Sequence, residues 1–111
     1  MDGAQAVTRI CSSFELPARF PWRRDAEGFA YRAPDGQVRA FVNVCPHRAQ
    51  PVALGDGRLF NPAGEIECPS HGARFDPLTG ACVGGPCLGA PLIPLPVEER
   101  EGAIWLLNEA A

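Results

Sequence analysis

Lysine is absent from the chain: all 10 basic side chains are arginine. Alongside abundant alanine, glycine and proline, this reads as the codon bias of a GC-rich genome rather than as function. Long apolar runs are also missing. No stretch approaches the roughly 20 residues that a helix needs to cross a bilayer, and no charged-then-apolar segment marks a secretory leader. A cytosolic location is therefore expected. Uninterrupted stretches suited to helix are scarce, because 12 glycines and 12 prolines punctuate 111 residues. Only residues 4–16 make a run longer than nine without either, so long helices are not expected. Surplus positive charge is lacking too. With 13 acidic side chains and a net charge of −3, there is no basic stripe of the kind that holds nucleic acid.

What is present describes a folded protein. The chain is 46% hydrophobic, above the range of disordered segments, and its length fits a single domain over residues 1–111. Five cysteines are an odd number in a compartment expected to keep thiols reduced. Metal or cluster ligation is a better reading of them than a disulfide framework.

Strand signals flank a loop-rich middle. Val7–Cys11 reads as a first strand, and Leu16-Pro17 as a turn. Phe29-Ala30-Tyr31-Arg32 and the run Gln37–Val44 flank Ala33-Pro34-Asp35-Gly36. Asp-Gly between two such runs is a hairpin signature, because glycine accepts the positive φ of the turn. Alternation puts Val38, Ala40, Val42 and Val44 on one face. A second hairpin is expected from Leu92–Glu98, through Glu99-Arg100-Glu101-Gly102, to Ala103–Leu107. Between the two hairpins, Cys45–Cys87 is dense in Gly, Pro, Cys and His, with short strands at Ile66-Glu67 and Arg74-Phe75. The expected architecture is all-β with a loop-rich insert.

The insert carries the chemistry. Cys45-Pro46-His47 and Cys68-Pro69-Ser70-His71 each pair a thiol with an imidazole, and these are the only 2 histidines of the chain. Two thiolates and two neutral imidazoles suit zinc or an iron–sulfur centre. A Cys₂His₂ zinc finger wants a cysteine pair, then a histidine pair on a helix. Here the order alternates, and Pro-Gly punctuation leaves no helix, so a centre with two irons fits better. A structural zinc or redox-sensing module remains the alternative.

These motifs, with Gly72, Phe75-Asp76, Thr79-Gly80, Gly84-Gly85-Pro86 and Leu95-Pro96-Val97, resemble the Rieske [2Fe–2S] family over roughly residues 7–108. The spacer of 20 residues between His47 and Cys68 is longer than the family leads one to expect. The resemblance implies an antiparallel β-sandwich or barrel carrying a small cluster-binding subdomain at about residues 45–87. Within one [2Fe–2S] cluster, Cys45 and Cys68 would hold one iron, and His47 and His71 the other. Gly72 would let the backbone approach and donate N–H groups to sulfur. Gly84-Gly85-Pro86 would form a loop over the cluster, and Pro46 and Pro69 would stiffen the ligand loops. Such a ligand set leaves the oxidised centre without net charge, where four thiolates would make it a dianion, so its potential lies above that of plant-type ferredoxins.

Two departures lower the expected potential within the family. High-potential members bridge their ligand loops by a disulfide, whereas Gln50 and Ser70 stand at those positions here. Those members also carry hydroxyls two and four residues after the second histidine, where this chain has Ala73 and Phe75. Each hydrogen bond to a charged group is worth roughly 1.5–3 kcal/mol. At about 59 mV per 1.4 kcal/mol for one electron, losing two of them lowers the potential by roughly 100 mV or more.

Other residues read more plainly. Cys11 is expected to be a small buried hydrophobe. Cys82 and Cys87 are read first as buried thiols, with a disulfide or redox role as the alternative. Arg48 and Arg74 read as solvated arginines near the cluster, Glu98, Glu99 and Glu101 as a soluble tip, and Trp22, Trp105 and Phe41 as packing residues. The function implied is a soluble one-electron carrier between a flavin-dependent reductase and an oxygenase or related terminal enzyme, not itself an enzyme. The alternative is a small Rieske subunit of a larger oxidoreductase, such as a nitrite-reductase-like assembly. An oxygenase would need a 2-His-1-carboxylate iron, for which no histidine is left over. A self-contained reductase would need a dinucleotide fingerprint that is absent.

Overall fold

The computed structural model describes residues 7–23, 26–44, 51–52, 59–69, 72–85 and 90–107. Its described residues form three antiparallel sheets and no α-helix. The first sheet joins the ends of the chain. β1 (Val7–Ser12) pairs with β10 (Ala103–Leu107), which pairs with β9 (Val97–Arg100). The central sheet has the order β2 (Ala18–Arg23), β3 (Ala26–Arg32), β4 (Val38–Val42), β8 (Pro94–Leu95). The third consists of β5 (Ile66–Glu67), β6 (Arg74–Phe75) and β7 (Cys82–Gly84). A short 3-10 turn, Ser13–Glu15, links β1 to β2.

The Asp-Gly hairpin forms as expected, with Arg32 opposite Val38 and Gly36 at φ +87°. The terminal hairpin is tighter than expected. Glu101 and Gly102 both have positive φ, at 54° and 79°, so a two-residue turn lets β9 continue to Arg100, opposite Ala103. The expected strand Leu92–Glu98 is not continuous. Pro96 interrupts it, and the two pieces pair differently, β8 with β4 and β9 with β10. The sequence reading also passed over β2, which contains Pro21. This strand is an edge of the central sheet, where a missing N–H breaks no inner ladder.

Both faces of the central sheet are buried. On one face Phe20, Ala30, Ala40, Val42 and Leu95 pack with Leu106 of the first sheet. On the other, Phe29, Tyr31 and Phe41 pack with Val52, Leu59, Ile66, Cys68, Ala73 and Phe75 of the insert. The alternation read for β4 holds for Val38, Ala40 and Val42, while Val44 lies past the strand and is exposed. The three aromatic rings lie 6.1–6.2 Å apart between centroids. Burying each such side chain stabilises the fold by about 1.5–3 kcal/mol, so the insert is attached by a substantial apolar seam.

Candidate metal centre

The two histidine motifs follow β4 and β5 in the chain. The first loop leaves β4 at Asn43 and rejoins described structure at residues 51–52; Cys45 and His47 lie outside the described residues, as do Arg48 and Gln50. The second loop joins β5 to β6. His71 and Ser70 lie outside the described residues there, whereas Cys68 is placed. Cys68 is 1% exposed and packs in the seam beside the central aromatics. Its N–H donates to the Ala73 carbonyl at 2.8 Å, and its carbonyl accepts from the Gly72 N–H at 3.1 Å. Backbone hydrogen bonds therefore close this loop.

Gly72 is placed in the turn that closes this loop. Its N–H is engaged by the Cys68 carbonyl, and the glycine is demanded by the turn itself, at φ +75°. A close backbone approach is found at Gly85, φ +83°, in the stretch after β7. A Cβ there would lie 2.8 Å from the Gly72 oxygen and 2.9 Å from the Ala73 Cα. Gly85 thus sits directly on the backbone of the loop between β5 and β6. Pro86 lies outside the described residues.

Nearby charges and sulfurs are more engaged than the sequence suggested. The Arg74 guanidinium lies against the Gly84 backbone, and its Nη1 is 3.6 Å from Glu65 Oε1, so it is not simply a solvated arginine. Cys82 is disulfide-bonded, against the first reading of a buried thiol. Its partner lies outside the described residues, and its Sγ is 3.5 Å from the Gly84 carbonyl oxygen. Cys11 is a buried thiol as expected, its pKa raised chiefly by burial. Glu99, expected to be part of a soluble tip, accepts from Arg32 and from Ser13. Trp22 packs at the edge of a core cluster, and Phe41 is 2% exposed inside one.

The sequence reading also passed over Asn43, a polar side chain buried at 5% exposure. Nothing in its local sequence marks it, because its partners are distant in the chain.

The chemistry of the placed donor fits an iron–sulfur centre. Cys68 offers a soft thiolate ligand in a dry, backbone-closed loop, with a histidine three residues on. Among the described residues no group of three or more His, Cys, Asp or Glu converges, in keeping with three of the four candidate ligands lying outside them.

Comparison with known proteins agrees with this chemistry. A family profile for the Rieske [2Fe–2S] domain matches residues 6–99. The chain is 45% identical over 82 residues to the oxygenase component of dicamba O-demethylase from Stenotrophomonas maltophilia, covering 68% of this chain and 23% of that protein. It thus spans under a quarter of the length of the curated relatives it matches. Among solved structures, the Sphingomonas yanoikuyae B1 ferredoxin is 28% identical with a TM-score of 0.72, over 94% of this chain and 100% of that one. A chain in the complex of reduced oxygenase and oxidized ferredoxin of carbazole 1,9a-dioxygenase is 29% identical with a TM-score of 0.73, over 96% of each. The cysteine–histidine motifs, the three antiparallel sheets and the match across residues 6–99 lead to one assignment: the chain belongs to the Rieske family, whose domain binds one [2Fe–2S] cluster.

Proposed function

We propose that the chain is a soluble, cytoplasmic one-electron carrier, taking electrons from a flavin-dependent reductase and passing them to an oxygenase or related terminal enzyme. The observation that carries this reading is the two-way match to a ferredoxin, which spans nearly all of both chains. The cluster-binding part is about residues 45–87, with Cys45, His47, Cys68 and His71 as ligands. A bound cluster supplies storage for one electron. The chain's own part is to hold the four side chains and exclude water. The buried Cys68 and the seat of Gly85 on the second ligand loop serve that task. Ala73 and Phe75 are fully buried and bring no hydroxyl, which favours a potential near the low end of the Rieske range, around −150 mV.

A second reading is favoured by one observation: in structural comparison, identity is higher to dicamba monooxygenase, at 34% over 92% of this chain, than to the ferredoxin, at 28% over 94%. In that reading the chain is the Rieske subunit of a larger oxidoreductase, as in a nitrite-reductase-like assembly.

Anaerobic purification, iron and sulfide analysis, and absorption and EPR spectra with and without dithionite test both readings. The carrier reading expects a brown monodisperse protein, an EPR signal only after reduction, and reduction by NAD(P)H through a flavin-dependent reductase. Cys68→Ser should abolish cluster uptake. Purification only within a larger complex, with no reduction of the isolated chain, selects the second reading. A colourless chain that takes up zinc but no iron and sulfide overturns both.

A further inference from the structure

The two ligand loops are closed in different ways. The second is closed by main-chain hydrogen bonds between Cys68 and residues 72–73. Across the mouth of the first, the hydrogen bond found among the described residues comes from a side chain: Asn43 Oδ1 accepts from the Val52 N–H at 2.8 Å. We propose that Asn43 is the clasp of the first ligand loop, a positioning residue that holds Cys45 and His47 in register with the second loop. This inference rests on the ligand assignment proposed above.

Three features support it. First, Asn43 is itself immobilised. Its N–H donates to the Glu27 carbonyl at 2.8 Å, one rung beyond the Gly28–Val42 pair, which extends the β3–β4 ladder to the loop entrance. Second, its side chain is turned inward and used from both ends. While Oδ1 accepts from Val52, Nδ2 donates to Glu27 Oε1 at 3.3 Å. Glu27 is held in turn by Arg19 at 3.7 Å, across β2 and β3. Third, Val52 is fully buried in the apolar seam, so its N–H cannot turn to water and needs this acceptor.

Only a short amide meets both demands. A carboxylate in its place has no donor for Glu27 and sets two like charges together, leucine has neither function, serine is too short, and glutamine is one methylene too long for a close-packed site. The clasp therefore joins the rigid central sheet to the return of a loop that carries two of the four proposed ligands. Without it the loop stays tied at its entrance, while among the described residues its return is held by the packing of the Val52 side chain.

The test uses the cluster-loaded chain. In Asn43→Ala, hydrogen–deuterium exchange at the Val52 amide should quicken by about tenfold or more. Cluster loss to a chelator should quicken by about tenfold, the effect of losing one buried hydrogen bond worth about 1.4 kcal/mol. The EPR lines of the reduced cluster should broaden as the ligand geometry becomes heterogeneous. Should that variant not fold, Asn43→Ser keeps a small polar group while removing the reach to Val52, and the same changes are expected. Combining Asn43→Asp with Glu27→Gln reverses the polarity of the side-chain pair while keeping an acceptor for Val52, and should restore all three readouts. Glu99→Gln, remote from the loop, controls for general loss of stability and should leave cluster lifetime and line width unchanged. Wild-type cluster lifetime and line width in Asn43→Ala or Asn43→Ser overturn the clasp. A wild-type chain that loads no cluster overturns the carrier reading beneath it, and that is seen before any variant is made.

Discussion

The Tyr31 hydroxyl donates to the Pro77 carbonyl at 2.5 Å, fastening the central sheet to the turn that follows β6. The phenol is 1% exposed, and its pKa is raised, chiefly by burial, with the charges of Asp76 and Asp35 adding and that of Arg39 opposing.

Tyr31→Phe should therefore destabilise the protein by about 1–3 kcal/mol, the cost of leaving a buried acceptor unpaired. It should also change the alkaline limb. A phenol whose folded pKa is raised contributes stability that is complete below the unfolded value near 10 and fades as pH rises through the folded one. Urea midpoints taken from pH 9 to 12 should fall more steeply for wild type than for Tyr31→Phe. Parallel curves would show that the phenol does not ionise on unfolding.

The acid limb should be set in part by Glu99. Arg32 holds both carboxylate oxygens, at 2.8 and 2.6 Å, and Ser13 Oγ donates at 2.6 Å. The Arg32 hydrogen bonds, then that of Ser13, lower its pKa from 4.5 to about 2. A depressed carboxylate contributes stability above its unfolded pKa that is lost as pH falls through the folded one. Glu99→Gln should thus lower the denaturation midpoint at pH 7 while flattening its decline between pH 4.5 and 2. Because the group is solvent-screened, the difference at pH 7 should shrink in 1 M salt. A difference as large at pH 2 as at pH 7 would refute the ionic origin.

Gly85→Ala should act on the cluster more than on the sheet. The added methyl would meet the Gly72 oxygen at 2.8 Å and would also have to adopt φ +83°. Gly36→Ala, at φ +87° with open space around it, bears only the backbone cost of about 1–2 kcal/mol. Thermal denaturation should rank Gly36→Ala as the milder change. Cluster retention should fall in Gly85→Ala alone, and equal retention in both would place the second ligand loop out of reach of the glycine.

How much of this was readable beforehand follows from how far apart the interacting residues lie. Cys45-Pro46-His47 and Cys68-Pro69-Ser70-His71 advertise their chemistry because each pairs its donors within a few residues. The β3–β4 hairpin was legible because Asp35-Gly36 specify its turn locally. β2 was not, because Pro21 reads as a breaker until the strand is known to lie at an edge. Asn43 was silent because its meaning depends on Glu27, 16 residues before it, and Val52, 9 residues after. Glu99 was taken for a tip residue because Arg32 and Ser13 stand 67 and 86 residues away. Long-range pairs of polar side chains leave no periodic trace in a sequence, whereas apolar faces and turns do.

The chain departs from the central sheet after Val42 and comes back at Ile93, and the Val42 N–H donates to the Ile93 carbonyl at 2.8 Å. Departure and return are thus neighbours on one ladder, so everything between them is a cassette whose mouth is already stitched. A graft cut at that stitch would fit another hairpin without stretching it, provided the recipient sheet also displays the three rings of Phe29, Tyr31 and Phe41 on which the cassette rests.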